Sequence, residues 1–200
     1  MGVDGLKPRC SGMKRITIAA AFLLPSLSSV ADTQQTRRVD AVTGAETWET
    51  RINGVHFSLT QLLPDQLRAF YVNRGFTLQQ AEPYATSCVY MAVLRNDSAP
   101  GVIHYVSSDW PVSVEDRNHT LLPVERWLER LSTTGVKKPA LIAFRWAQFP
   151  PEQSYRPGGD WNQGMLSIGL PAGSRFDITA TWDIGGKVYQ AGLKEVQCAG

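Results

Sequence analysis

Apolar residues run without a polar break through Cys88-Val89-Tyr90-Met91-Ala92-Val93-Leu94, and an Asn96-Asp97 turn signal follows. A strand with one wet face alternates apolar with polar, whereas an unbroken run is expected of a strand covered on both faces. Cys88, Tyr90, Ala92 and Leu94 would face one way, and Val89, Met91 and Val93 the other. Gly54–Thr60 alternates strictly, which turns Val55, Phe57 and Leu59 inward and leaves His56 on the solvent side. Gly101–Val106 reads as the hairpin partner of the central strand across the Asn96–Gly101 connection. Ala140–Trp146 is nearly all apolar and is expected as a second central strand. Met165–Leu170 and Arg175–Trp182 alternate on either side of a Pro171–Ser174 turn. Gly185-Gly186 predicts a tight hairpin into Lys187–Gln190.

Helical spacing occurs twice. Pro64 opens a segment in which Leu63, Leu67, Phe70 and Tyr71 share a face and Gly75 supplies the C-terminal cap. Pro123 opens another, with Val124, Trp127, Leu128 and Leu131 on one face and Gly135 at its end. Short strands with frequent turn signals and no regular βαβ alternation predict a mainly β fold. The expected architecture is an antiparallel β-sandwich with two short peripheral helices.

The first 31 residues look different from the rest. Lys14-Arg15 precede an apolar run, Ile16–Leu24, and Ser29-Val30-Ala31 places small residues where a signal peptidase reads. That run is too short to cross a bilayer, which takes roughly 20 residues. The expected division is a leader with a cleaved signal over 1–31, a flexible lead-in over 32–50 and a single domain over 51–200. Met13 is an alternative start to Met1. The leader carries Lys7, Arg9, Lys14 and Arg15 against Asp4, leaving 16 basic (20 − 4) and 17 acidic (18 − 1) residues, a net charge of −1. A near-neutral mature chain with scattered charges gives no electrostatic reason to expect nucleic acid or a polybasic membrane patch. The expected location is periplasmic or secreted, with no membrane span in the mature chain.

Cleavage would leave only Cys88 and Cys198. An even pair in an oxidising compartment predicts a disulfide. Metal ligation lacks a local motif: His56, His104 and His119 are isolated, and neither cysteine has a second ligand nearby. Convergence of the histidines with Met91 or Met165 would make a soft, copper-type set. No Gly-x-Ser-x-Gly elbow and no phosphate loop occurs. Glu152, Asp160, Asp177 and Asp183 are the candidates for paired acid/base work.

One stretch stands apart. Trp146–Gly164 links two expected strands, exceeds an ordinary connection in length, and mixes Phe149, Tyr155 and Trp161 with prolines and glycines. Aromatic side chains on a stiff loop make a docking surface, or else a self-packed cover for the sandwich edge. The expected binding residues are Phe149, Glu152, Tyr155, Asp160 and Trp161. The preferred reading is an exported, non-enzymatic protein without a cofactor. It would bind another envelope protein or an extracellular ligand, as an accessory or assembly factor. The alternatives are a small periplasmic copper carrier and a carboxylate-dependent hydrolase.

Overall fold

A computed structural model describes residues 1, 2, 5 and 35–200. The expected leader and its cleavage site therefore lie outside the described residues, but for Met1, Gly2 and Gly5. In chain order the strands and helices are β1 (Thr36–Val39), β2 (Glu46–Ile52), β3 (Val55–Gln61), α1 (Pro64–Val72), α2 (Leu78–Ala85), β4 (Ser87–Asn96), β5 (Ile103–Val106), β6 (Val112–Val114), β7 (Arg117–His119), α3 (Val124–Thr133), α4 (Lys138–Trp146), β8 (Glu152–Tyr155), β9 (Asp160–Pro171), β10 (Arg175–Ile184) and β11 (Lys187–Gln197). They form two antiparallel sheets, one ordered β1-β2-β3-β4-β9 and the other β7-β6-β10-β5-β8 with β11 beside β10.

The expected central strand is β4, paired with β3 on one side and β9 on the other. Its Cys88, Tyr90, Ala92 and Leu94 enter the core between the sheets, where they meet Phe57, Leu59, Ile178, Ala180 and Trp182. Val89 points the opposite way, joining Met165 of β9 beneath the helices. The inner side of the run is covered by the opposite sheet, and Val89 on the other side by a helical layer built on Leu67, Tyr71, Tyr84, Trp127 and Phe144, whereas Met91 and Val93 are only partly buried. Cys88 and Cys198 form the disulfide. It ties β4 to the chain just beyond β11, stapling one sheet to the other.

Five local expectations need correction. Ala140–Trp146 belongs to helix α4, in which Ala140 and Phe144, one turn apart, are buried while Ile142 is exposed. Proline near the start and a run of good helix formers decide the matter where a short apolar run is ambiguous. Helix α2 adds a fourth helix through a Thr77–Gln80 capping box, although Pro83 within it reads as a breaker. The supposed lead-in holds β1 and the start of β2, with Trp48 buried in the core. The expected long loop contains β8 and the opening residues of β9.

The fifth concerns β5, which pairs with β10 and β8 in the second sheet instead of with β4. The Asn96–Gly101 connection carries the chain across. Buried Asn96 fixes the crossing: its side-chain amide donates to the carbonyls of Gly101 and Tyr155, and its oxygen accepts from the Ala99 N–H. Gly54 meets the same crossing, and a Cβ there would collide with the backbone of Ser98 and Ala99.

Candidate binding cleft

The aromatic residues of the Phe149–Gly164 stretch do not share one fate. Phe149 and Tyr155 are each only 4% exposed and belong to the core between the sheets. Phe149 stacks on Tyr105 at 5.5 Å, and the Tyr105 and Tyr155 hydroxyls share a hydrogen bond of 3.1 Å. Burial pushes both phenols above their ordinary range, so neither ionises near neutral pH. Trp161 is 52% exposed. It lies in register with Arg95 on the outer face of the first sheet, and the row continues through His56 and Arg51.

The two carboxylates expected at the site have separate partners. Glu152 opens β8 and meets His104 Nε2 at 2.9 Å on an exposed face of the second sheet. Asp160 opens β9 in the first sheet and accepts from the Arg156 backbone N–H at 3.1 Å. Glu152 and Asp160 thus open strands of different sheets. Asp183 and Asp177 each accept a backbone N–H, from Gly186 and Glu195 respectively.

Histidines likewise stand on separate strands. His119 Nε2 lies 3.0 Å from the Ile168 carbonyl. His56 is buried rather than wet, with both ring nitrogens lacking a hydrogen-bond partner and Glu49 Oε2 at 3.6 Å from Nε2. Desolvation, reinforced by Arg51 and Arg95, lowers its pKa against the opposing pull of Glu49 and Asp97. Met165 accepts from the Tyr71 hydroxyl at 3.0 Å. Among the described residues, no three His, Cys, Asp or Glu side chains converge to hold a metal.

A surface cleft of about 360 Å³ opens beside this stretch, where the end of α4, the start of α3 and β9 meet. Trp146, Val124, Pro150 and Pro151 give it apolar walls, and Asn162 and Gln163 supply amides. Trp146 is 84% exposed. Gln163 stands two residues from Trp161 on the same face of β9, and the second exposed indole lies outside the cleft lining, further along the strand. Arg145 and Glu125, also in the lining, approach to 3.6 Å.

The frame beneath is tightly held. Phe149 N–H donates to the Met165 carbonyl at 2.9 Å, and Met165 N–H donates to Ala147 O at 2.8 Å. That close pairing needs Gly164, because a Cβ there would collide with the backbone of Gln148 and Phe149. Gln148 donates to Phe144 O and to the Tyr71 hydroxyl, and accepts from the Tyr84 hydroxyl. These bonds pin the end of α4 to the other helices, so the exposed indole of Trp146 stands on a fixed base. The sequence marked Trp146 as the start of the unusual stretch but gave no reason to put it on a helix facing solvent.

Searches of protein-family models, curated proteins and solved structures find no match to this chain.

Proposed function

We propose that this protein is an exported, non-enzymatic binding module, and that the cleft between α4 and β9 receives an extended segment of another envelope or extracellular protein. One observation carries the reading. Trp48, Trp110, Trp127 and Trp182 are buried, whereas Trp146 stands 84% exposed beside an apolar cleft. Exposed tryptophans on a rigid frame are the residues most often found as anchors at interfaces. The proline and indole surfaces suit the rings of an incoming Pro- or aromatic-containing peptide, and Asn162 and Gln163 can hydrogen-bond its backbone. The disulfide supports export, because such bonds persist in oxidising compartments.

Alanine variants of the two indoles test the proposal. Trp146→Ala and Trp161→Ala are each expected to weaken capture of the wild-type partner from an envelope extract by about 2 kcal/mol or more. Their melting temperatures should stay close to wild type. Capture of the same partner at undiminished affinity by the double variant would remove the cleft as the site.

A further inference from the structure

Sheet edges expose unpaired backbone groups, and proteins blunt them with short strands, charges, prolines or bulges. Most edges here follow that rule. Strand β1 has four residues and carries Arg37 and Arg38; β7 has three and carries Arg117. Strand β8 has four and opens with Glu152, while β9 is bridged by the Gln148 segment.

Strand β11 is the exception. It has 11 residues and pairs with β10 along one side. Ile184 and Lys187 flank the two-residue Gly185-Gly186 turn and form a register pair. In such a hairpin the flanking pair is hydrogen-bonded, and the alternation then turns Lys187, Tyr189, Ala191 and Leu193 toward β10. The N–H and C=O of Val188, Gln190 and Gly192 therefore point away from it, as do those of Lys194. The Gln35 side chain confirms the parity at Lys194, donating to its carbonyl at 2.9 Å and accepting from its N–H at 2.6 Å. Among the described residues, nothing plays that part for Val188, Gln190 or Gly192. This run holds no charge and no proline, and Val188 is 69% exposed. The charged residues Lys194 and Glu195, and the register shift opposite Phe176–Ile178, come only beyond it.

The run is self-complementary. In an antiparallel pairing of two copies about a twofold axis through Gln190, Val188 faces Gly192, Gln190 faces Gln190, and Gly192 faces Val188. All three free residues then exchange both backbone hydrogen bonds, and pairing stops where Gln35 already covers Lys194. Moving the axis by one residue either way spends part of the run on Lys194 or on the Gly186 turn. Side chains fit the same register. The exposed valine lies over a glycine, Tyr189 lies opposite Ala191, and the two central amides can bond each other. Lys187 faces Leu193, so no like charges oppose. We propose that β11 pairs with β11 of a second copy, joining the second sheets of two protomers into one continuous sheet.

Sedimentation velocity across the micromolar range, on the mature chain, tests this together with two variants. Gln190→Pro removes the N–H at the twofold centre while leaving the bonds to β10 intact, since that N–H faces outward. Gln190→Lys sets like charges directly opposite. Wild type is expected to dimerise, and each variant to raise the dimer dissociation constant by about tenfold or more. Hydrogen exchange provides the second readout. The Val188, Gln190 and Gly192 amides should be protected in the wild-type dimer and exchange freely in Gln190→Lys, with the Tyr189 and Ala191 amides protected in both. A monomeric wild type, or dimers that survive both substitutions, would overturn the proposal.

Discussion

Removing the Cys88–Cys198 bond should cost more stability than any surface change. The bond closes a loop with a sequence separation of 110. The chain-entropy relation gives about 5 kcal/mol at 25 °C for a loop of that size, with native strain or residual denatured structure able to reduce it. Global stabilities of single domains are themselves about 5–15 kcal/mol. Both cysteines lie in the core between the sheets, so paired alanines also leave a small space where two sulfur atoms stood. At about 2–4 °C per kcal/mol for a chain of this length, the double variant Cys88→Ala/Cys198→Ala should melt about 10–20 °C below wild type. The loss has a structural route: the Cys198 N–H donates to the Ser174 carbonyl at 2.8 Å, and Val196 is buried just before it. Freeing the tail exposes that end of β11 and β10 first. Calorimetry of wild type, of wild type with reductant and of the double variant gives the comparison. A double variant melting with wild type, or two alkylatable thiols in the native exported protein, would refute the reasoning.

Two further outcomes follow from the same structure and a third from the sequence. Phe149→Ala should lose about 3–5 kcal/mol in urea titrations because it empties a packed core position, whereas Trp161→Ala should change stability by less than about 1 kcal/mol; equal losses would contradict their different burial. His56 has a lowered folded-state pKa, so the unfolded chain binds its proton more readily. Its contribution is fully present above about pH 6.5 and is lost as pH falls through the folded value. Urea midpoints at neutral and mildly acidic pH should therefore fall with acid, and His56→Gln should flatten that dependence if its fold is retained; an unchanged slope would contradict the assignment. Mass spectrometry of the exported protein should place Asp32 at its N-terminus, and retention of Ile16–Leu24 would end the export reading.

The β4 run was legible because its core face and Val89 are buried and Met91 and Val93 partly so, which leaves no polar position in the run. The alternation in β10 was legible because one face meets the core, whereas β3 and β9 keep an apolar–polar alternation although His56, Ser58 and Ser167 on their other faces are buried as well. Strand β2 escaped notice because Thr47, Glu49 and Thr50 surround its one buried aromatic, Trp48, and no apolar alternation remains to see. Strand β8 was hidden in the same way, since three of its four residues are exposed.

The misreading at α4 bears directly on the cleft. In a strand, Phe144 and Trp146 would share a face, but in a helix two residues turn the side chain by about 200°. Phe144 therefore fills the helical core while Trp146 faces water. The sequence located an aromatic-rich region near the site. Which rings face inward depends on the bridge to Met165 and on the crossing held by Asn96, both set by residues distant in the chain.

Site-specific photocrosslinking tests the binding cleft most directly. A photoreactive phenylalanine analogue would replace Trp146, Trp161 or, as a control, exposed Val39 on the β1 edge. Intact cells producing each variant from the full chain would be irradiated, and adducts identified by mass. One discrete polypeptide adduct from positions 146 and 161, weak or absent from position 39, is the expected result. Equal adducts from all three positions, or none from 146 and 161 in correctly folded protein, would contradict the cleft as a docking site.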